Sequence, residues 1–205
     1  MKKKGELWVI CGPMFSGKTL TLIGILDSFA KAGFKVQAFK AEVDTRYGRK
    51  QNLITHSGIE FPAIAIPVND PWQIDLNLDP ETQIVGIGEA QFFSNELVNV
   101  IDYLLEKRRL PTIVEGLDTD FRGEPFGPMP LLLAKAQVLI KLTAVCSICG
   151  APATRTQRLI GNEPAPFDSP LIMVGGKELY QPRCFQHHEV PGKPIPAPYC
   201  PRRQD

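Results

Sequence analysis

The sequence lacks a long apolar run, a secretory signal and an excess of charge of either sign. No stretch approaches the roughly 18 apolar residues of a membrane-spanning helix. The basic N-terminus is followed at once by Gly5 and Glu6, and no cleavage site follows the short apolar run 7–11. The 23 Lys+Arg and 22 Asp+Glu residues give a formal net charge of +1. We therefore expect a cytoplasmic protein without a membrane or nucleic-acid partner.

The chain also lacks the cysteine pattern of a disulfide scaffold. It has five cysteines, an odd number, in 205 residues, whereas disulfide-dense domains are smaller and use paired cysteines. Hydrophobic residues make up 43% of the sequence. A chain of this size and composition can bury one good core and a small satellite.

Apolar runs alternate with helical patterns through the first two thirds of the chain. A largely buried helix is expected at 18–32 and another at 95–107, the second capped by Ser94. Short strands are expected between residues 41 and 80. Buried strands are expected at 7–11, 36–40, 83–87, 111–115 and 136–142. The alternation predicts an α/β fold, a mostly parallel sheet flanked by helices.

The strongest motif lies between the first predicted strand and the first predicted helix. It reads Gly12-Pro13-Met14-Phe15-Ser16-Gly17-Lys18-Thr19. The glycines let backbone N–H groups curl around a polyphosphate at the helix N-terminus. Lys18 is expected to reach the β/γ-phosphates, and the Thr19 hydroxyl to lie on Mg²⁺. The alternative is a glycine-rich turn, but the flanking strand and helix favour an ATP-binding P-loop.

A second candidate follows the strand predicted at 83–87. Nucleoside triphosphatases usually carry an Asp at the end of a neighbouring strand, where it helps to hold Mg²⁺. Here Gly88 has that position, and Glu89 comes directly after it. Because ligands bind at the carboxyl ends of strands in open α/β sheets, Glu89 is a candidate base for a substrate hydroxyl. A surface carboxylate beside a turn is the alternative.

Two cysteine pairs have the spacing of a structural zinc site. Cys146 and Cys149 form the first pair, and Cys184 with His187 forms the second. His188 is the alternative fourth ligand. Residues 150–183 between the pairs form a long loop, interpreted as a lid or, alternatively, a disordered insert. The sequence thus predicts a P-loop α/β domain (1–143) and a zinc-binding lobe (144–205) with a lasso-like lid and an irregular tail.

These motifs, in this order, resemble the thymidine kinases of the cellular type. Beside the phosphate loop, the resemblance rests on Asp44-Thr45-Arg46-Tyr47, Glu89-Ala90-Gln91-Phe92-Phe93, Gly116-Leu117-Asp118-Thr119-Asp120-Phe121-Arg122-Gly123, Leu142-Thr143-Ala144-Val145-Cys146, Thr156-Gln157-Arg158 and Tyr180-Gln181-Pro182-Arg183-Cys184. It covers nearly the whole chain. It implies a RecA-like sheet, transfer of the γ-phosphoryl group of ATP to the 5′-hydroxyl of thymidine or deoxyuridine, and a homotetramer inhibited by thymidine triphosphate.

The resemblance also implies roles for individual residues. Glu89 takes the hydroxyl proton. The ATP side of the site comprises the loop Gly12–Thr19 with Asp44, Thr45, Arg46, Gly88 and Gln91. The nucleoside side comprises Met14, Leu117, Phe121, Thr156, Tyr180 and the lid residues Leu171, Ile172, Met173, Val174 and Gly175, which reach the base through backbone groups.

The chain departs from that family at Gly88, where an Asp is expected. Either a neighbouring carboxylate (Glu89, Glu115 or Asp118) replaces it, or Mg²⁺ is held less well; weaker Mg²⁺ use with retained activity is the favoured outcome. The helix after the loop also lacks the Glu and Arg residues that the family carries. The alternative function is a degenerate, non-catalytic regulator of the same fold that binds nucleotide or nucleoside. A zinc-bearing, nucleic-acid-binding ATPase is disfavoured because the sequence has no basic patch.

Overall fold

The computed structural model describes residues 5–43, 52–55, 57–173 and 179–194. Asp44, Thr45, Arg46, Val174 and Gly175, all predicted site residues, lie outside the described residues. The same holds for residues 195–205, which belong to the predicted irregular tail and include the last cysteine.

The described elements alternate between strands and helices as the hydropathy pattern predicts. The helices are α1 (Lys18–Lys31), α2 (Gln73–Leu76), α3 (Leu97–Tyr103) and α4 (Met129–Lys135). The strands are β1 (Leu7–Cys11), β2 (Val36–Glu42), β3 (Asn52–Ile54), β4 (Glu60–Pro62), β5 (Ile64–Pro67), β6 (Ile84–Gly88), β7 (Thr112–Gly116), β8 (Val138–Lys141), β9 (Ala144–Val145), β10 (Pro152–Ala153), β11 (Arg155–Ile160), β12 (Glu163–Pro164) and β13 (Tyr180–Arg183).

Six strands form a parallel sheet in the order β5-β2-β6-β7-β1-β8. The strand that leads into the phosphate loop, β1, lies between β7 and β8, and β7 separates it from β6. In this register Ile10 pairs with Glu115, and Cys11 pairs with Gly116. The loop after β1 therefore meets the ends of β6 and β7 at one edge of the sheet. The mostly parallel sheet flanked by helices is confirmed.

Helices cover both faces of the sheet, and each face has its own core cluster. Leu22 and Leu26 of α1 pack with Ile113 on one face. Ile101 of α3 and Leu132 of α4 belong to the cluster on the other face. These side chains are fully or almost fully buried, and each stabilises the fold by about 1.5–3 kcal/mol relative to exposure.

The prediction that α1 is largely buried is wrong. Leu20 is 47% exposed, and Ile25 and Phe29 are only partly buried. The helix packs on the sheet through one side, whereas its apolar residues cover more than one side. Ile25 and Phe29, with Trp8 and Phe34, line a shallow apolar groove of about 550 Å³.

The predicted cap of the second long helix is also wrong. Helix α3 begins at Leu97 with Glu96 as its N-cap residue, and it continues as a π-helical turn from Leu104 to Arg108. The Ser94 hydroxyl is buried without a hydrogen-bond partner. The Ser94 N–H donates to the Val68 carbonyl, and this tertiary contact holds Ser94 ahead of the helix.

Small antiparallel sheets follow the last strand of the main sheet. Strand β9 pairs with β10, and β11 lies between β12 and β13. Between residues 144 and 194 the described helical structure is one 3-10 turn, Phe185–His187. This agrees with the absence of a helical pattern in the sequence. The boundary between the two predicted domains remains a prediction.

Candidate active site

The phosphate loop adopts a backbone that most side chains do not allow. Gly12 and Gly17 have φ angles of 146° and 85°, and Phe15 has a φ of 64°. A β carbon on Gly12 would lie 2.4 Å from the Leu142 carbonyl oxygen. Glycine alone fits this conformation and this close approach. The loop leads directly into Lys18 at the start of α1, whose N-terminus attracts anions.

The two functional side chains that end the motif are held by contacts within the protein. The Lys18 ammonium group donates a hydrogen bond to the Pro13 carbonyl at 2.8 Å, and the Ser16 hydroxyl donates to the same oxygen at 2.8 Å. The Thr19 hydroxyl donates to Oε1 of Glu115 at 3.3 Å. Lys18 is 9% exposed, so its charge is largely shielded from bulk water.

The candidate base, Glu89, follows β6 in a left-handed conformation with φ 57°. Such an angle is uncommon for a residue with a side chain, and it often accompanies functional sites. Gln91 donates to Oε2 of Glu89 at 2.6 Å and accepts from the Leu117 N–H at 3.0 Å. The Gln91 side chain therefore orients the Glu89 carboxylate. The nucleotide contact that the sequence predicts for Gln91 stays a prediction.

A buried carboxylate links the loop to the candidate base. Oε1 of Glu115 accepts hydrogen bonds from the Thr19 hydroxyl and, at 3.1 Å, from the Glu89 N–H. Desolvation by burial is the main cause that raises the pKa of Glu115 to about 7. The negative charge of Glu89 adds to this shift, and the positive charge of Lys18 opposes it.

The predicted nucleoside residues approach the loop from the C-terminal part of the chain. Thr156 on β11 accepts a hydrogen bond from the Met14 N–H at 3.0 Å, which joins the lid-bearing strands to the phosphate loop. Phe121 and Tyr180 are buried, and the guanidinium of Arg158 stacks over both rings at 3.9 and 5.3 Å. The structure thus brings Met14 into contact with Thr156, and it brings Phe121 and Tyr180 to Arg158, which lies two residues further along the same strand.

The described part of the lid, residues 161–173, is fastened by its carbonyl oxygens. Arg158 donates to the Pro170 carbonyl and, at 2.6 Å, to that of Leu171. The Tyr180 hydroxyl donates to the Met173 carbonyl at 2.6 Å. The side chains of Leu171 and Ile172 are 39% and 49% exposed. Residues 170, 171 and 173 of the lid are therefore held through their backbone.

Sequence reasoning did not assign a role to Arg158 or to Arg122. Arg158 is 2% exposed, and Arg122 donates to the Ser169 carbonyl at 2.8 Å. Both belong to motifs that carry the family resemblance. Three consecutive polar residues in β11, Thr156 to Arg158, are buried, but this burial is not visible in the sequence.

The four predicted zinc ligands converge in the small lobe. One ligand atom from each of Cys146, Cys149, Cys184 and His187 lies within 4.8 Å of the others. Burial raises the pKa of the Cys146 thiol, but hydrogen bonds from the backbone of Cys184, Cys149 and Ile148 outweigh it and lower the pKa to about 5. Three sulfurs and one imidazole fit a closed structural zinc site.

Two other residues with metal-binding side chains lie elsewhere. The His188 ring contacts the Phe121 carbonyl at 2.8 Å and does not belong to the cluster, so the structure favours His187 as the fourth ligand. Cys11 is buried in the sheet, and desolvation by burial is the main cause that raises the pKa of its thiol to about 11. Within the described residues, no helix is long and apolar enough to cross a membrane.

Comparison with known proteins agrees with this geometry. The family model described as thymidine kinase matches residues 5–188. The curated thymidine kinase of Coprothermobacter proteolyticus is 52% identical over 93% of this chain and 94% of its own length. The thymidine kinases of Aster yellows witches'-broom phytoplasma and Onion yellows phytoplasma are each 43% identical over 90% of this chain and 87% of their own.

A solved structure adds only a remote likeness. The flagellar accessory protein FlaH from Methanocaldococcus jannaschii aligns with 73% of this chain and 76% of its own, with a TM-score of 0.47 and 13% identity. That value is too low to support an inference about function. The family model and the curated relatives, in contrast, span nearly the whole chain. The chain therefore belongs to the thymidine kinase family.

Proposed function

We propose that this protein phosphorylates the 5′-hydroxyl of thymidine and deoxyuridine with ATP, in cytoplasmic nucleotide salvage. The observation that supports it best is the convergence of the loop and the candidate base in a chain of this family. Thr19 and the backbone of Glu89 both donate to one oxygen of Glu115. The phosphate loop and the candidate base therefore lie side by side.

The proposed mechanism divides the work among three groups. The loop N–H groups and Lys18 bind the phosphates of ATP and offset their charge. Glu89, oriented by Gln91, accepts the proton of the 5′-hydroxyl as that oxygen bonds to the γ-phosphorus. The bond between the γ-phosphorus and the β,γ-bridging oxygen breaks, and ADP leaves. The Thr19 hydroxyl and a nearby carboxylate would hold Mg²⁺, which would supply positive charge to offset the negative charge of the phosphates. Catalysis then consists mainly of positioning and charge stabilisation.

The nucleoside is proposed to lie between the phosphate loop and the lid. Phe121, Tyr180, Thr156, Met14 and Leu117 are the proposed contacts, with backbone groups of residues 171–175 reading the base. Because Arg158 and Tyr180 hold the lid by its carbonyls, the lid can exclude water that would otherwise hydrolyse ATP. Asp44, Thr45 and Arg46 are proposed to lie near the nucleotide.

A structural zinc ion is proposed at Cys146, Cys149, Cys184 and His187. The donor set and the convergence of the four side chains support it. The ion would join the two ends of the segment that carries the lid, residues 150–183. The zinc-binding lobe, 144–205, is thus proposed as a unit separate from the P-loop domain, 1–143.

We also propose a homotetramer, inhibited by thymidine triphosphate, as the family resemblance implies. Two described surfaces suit subunit contacts. One is the apolar groove beside α1, in which Phe34 is 44% exposed. The other is the sheet edge β8, where Leu139 is 53% exposed. Light scattering coupled to size exclusion measures the mass, and a monomer at assay concentration would contradict this part.

The decisive experiment is turnover of thymidine with ATP and Mg²⁺, with product identified by chromatography. We expect thymidine monophosphate from the wild type and a large loss in Lys18→Ala, while Lys31→Ala on the exposed end of α1 serves as the control. Protein that binds both ligands without forming product would support the regulatory alternative. Hydrolysis of ATP that DNA stimulates, without formation of thymidine monophosphate, would support the alternative of a nucleic-acid-binding ATPase.

A further inference from the structure

A P-loop site usually includes a carboxylate near the bound Mg²⁺, and in this chain the usual position for it holds Gly88. P-loop enzymes hold Mg²⁺ with the loop Ser/Thr and an acidic residue from a neighbouring strand. Gly88 ends β6 and offers no side chain. The sequence leaves Glu89, Asp118 and Glu115 as candidates for a substitute.

The contacts distinguish these three carboxylates. Glu89 is held by Gln91, at 2.6 Å. Asp118 forms an ion pair with Lys141 at 3.0 Å. Glu115 accepts a hydrogen bond from the hydroxyl of Thr19, the side chain that binds the metal in such loops. Of the three, Glu115 is the one with this contact.

The position of Glu115 follows from the strand order. Its strand, β7, lies between β1 and β6, so its side chain is next to both the phosphate loop and Gly88. A β carbon on Gly88 would be 3.4 Å from Oε1 of Glu115. The Glu115 carboxylate thus lies at contact distance from the position that a β carbon at residue 88 would take, beside the end of the Leu53 side chain.

Half of this carboxylate has no partner within the described protein. Glu115 is 1% exposed, and its Oε2 atom is buried without a hydrogen bond. A buried polar oxygen left unpaired is costly, so such atoms usually bind a ligand, a water or an ion. Mg²⁺ prefers oxygen ligands and usually keeps several waters, which carboxylates bind. Oε2 of Glu115 can accept a hydrogen bond from such a water or bind the ion directly.

We propose that Glu115 replaces the missing residue-88 carboxylate, so that the metal-holding group has moved from β6 to β7. The inference rests on the proposed use of Mg²⁺ and ATP. The sequence favoured weaker Mg²⁺ use, whereas the structure assigns a substitute. Gly88 and Glu115 then form a matched pair, because a second carboxylate at position 88 would face the first at contact distance and repel it.

The test measures metal-dependent nucleotide binding without relying on turnover. A non-hydrolysable ATP analogue is titrated calorimetrically into the full chain with Mg²⁺ and again with EDTA. Glu115→Gln keeps the size and an acceptor oxygen but removes the charge. We expect the Mg²⁺-dependent gain in affinity to fall about 10–100-fold, as is usual when a group that supports a metal is lost. Affinity in EDTA should not fall.

A matched variant and a direct metal probe accompany this titration. Asp118→Asn removes a neighbouring buried carboxylate, and it should leave the Mg²⁺-dependent gain unchanged. Mn²⁺, followed by electron paramagnetic resonance in the presence of the analogue, should bind about 10–100-fold more weakly to Glu115→Gln than to the wild type. Wild-type Mn²⁺ affinity in folded Glu115→Gln would overturn the inference.

Placing a carboxylate at position 88 gives a second test that does not depend on the folding of Glu115→Gln. Gly88 is not in the left-handed region, and its β carbon would meet chiefly the end of the Leu53 side chain, 2.4 Å away. Gly88→Asp alone should not improve Mn²⁺ binding. Gly88→Asp combined with Glu115→Ala should bind Mn²⁺ more tightly than Glu115→Ala alone. Improvement by Gly88→Asp in the presence of Glu115 would contradict the proposed pair.

The outcomes separate this inference from the proposed function. Metal binding that depends on Glu115, without phosphorylation of thymidine, would leave the inference standing and remove the function. If the protein phosphorylates thymidine but Glu115→Gln does not change Mn²⁺ binding, the proposed function stands and the inference about Glu115 is wrong.

Discussion

Replacing Arg158 by Lys should loosen the lid while preserving the positive charge. The Arg158 guanidinium donates to the carbonyls of Pro170 and Leu171, and it stacks over Phe121 at 3.9 Å. A planar guanidinium can make these contacts together, whereas an ammonium group is a compact point charge. We expect Lys to keep one of the two hydrogen bonds and to lose the stacking.

The size of the effect follows from the lost contact. A hydrogen bond from a charged donor contributes about 1.5–3 kcal/mol, and each 1.4 kcal/mol is a tenfold change in an equilibrium. Loss of one bond therefore raises the open fraction of the lid by roughly 10- to 150-fold. Loss of the stacking of Arg158 on the buried ring of Phe121 favours the open lid by up to about 2 kcal/mol more.

Limited proteolysis measures the opening directly. When opening is fast relative to cleavage, the rate of cleavage within residues 161–173 follows the open population. We expect chymotrypsin to cut this segment at least about tenfold faster in Arg158→Lys, and the KM for thymidine to rise more than kcat falls. Arg155→Lys is the control, because Arg155 lies on the same strand but stacks over Phe185 and donates to the Thr154 carbonyl. Equal cleavage and equal KM in Arg158→Lys and wild type would refute the reasoning.

Three further predictions concern the base, the metal and the nucleoside. Glu89→Gln cannot accept a proton, so turnover should fall about 10²–10⁴-fold with little change in nucleotide affinity; wild-type turnover would exclude Glu89 as the base. Cys149→Ser should lose zinc and loosen residues 150–183, as shown by elemental analysis and hydrogen exchange; wild-type protein without zinc would remove the proposed site. Deoxycytidine should be a poorer substrate than thymidine, because its base edge reverses donor and acceptor and leaves groups unpaired at about 1–3 kcal/mol each; equal kcat/KM would contradict base reading by the lid backbone.

Local patterns determined much of this protein. The phosphate loop needs only its own glycines and the strand and helix beside it, so Gly12 to Thr19 could be interpreted before any tertiary contact was known. The same holds for the two pairs of metal ligands, whose spacing places each pair on one tight turn. The alternation of buried strands with helices likewise predicted the parallel sheet, because hydrophobic periodicity is a property of neighbours in sequence.

Tertiary structure decided the features that depend on distant segments. Thr19 and Glu115 are 96 residues apart in sequence, and they meet because β7 inserts between β1 and β6. Arg158 lies at the lid because β11 pairs with β13. The contact of Ser94 with Val68 removed a cap that the local sequence predicted. Strand order and packing depend on the whole core, so only the folded chain shows that the Glu115 carboxylate of β7 lies beside Gly88 at the end of β6.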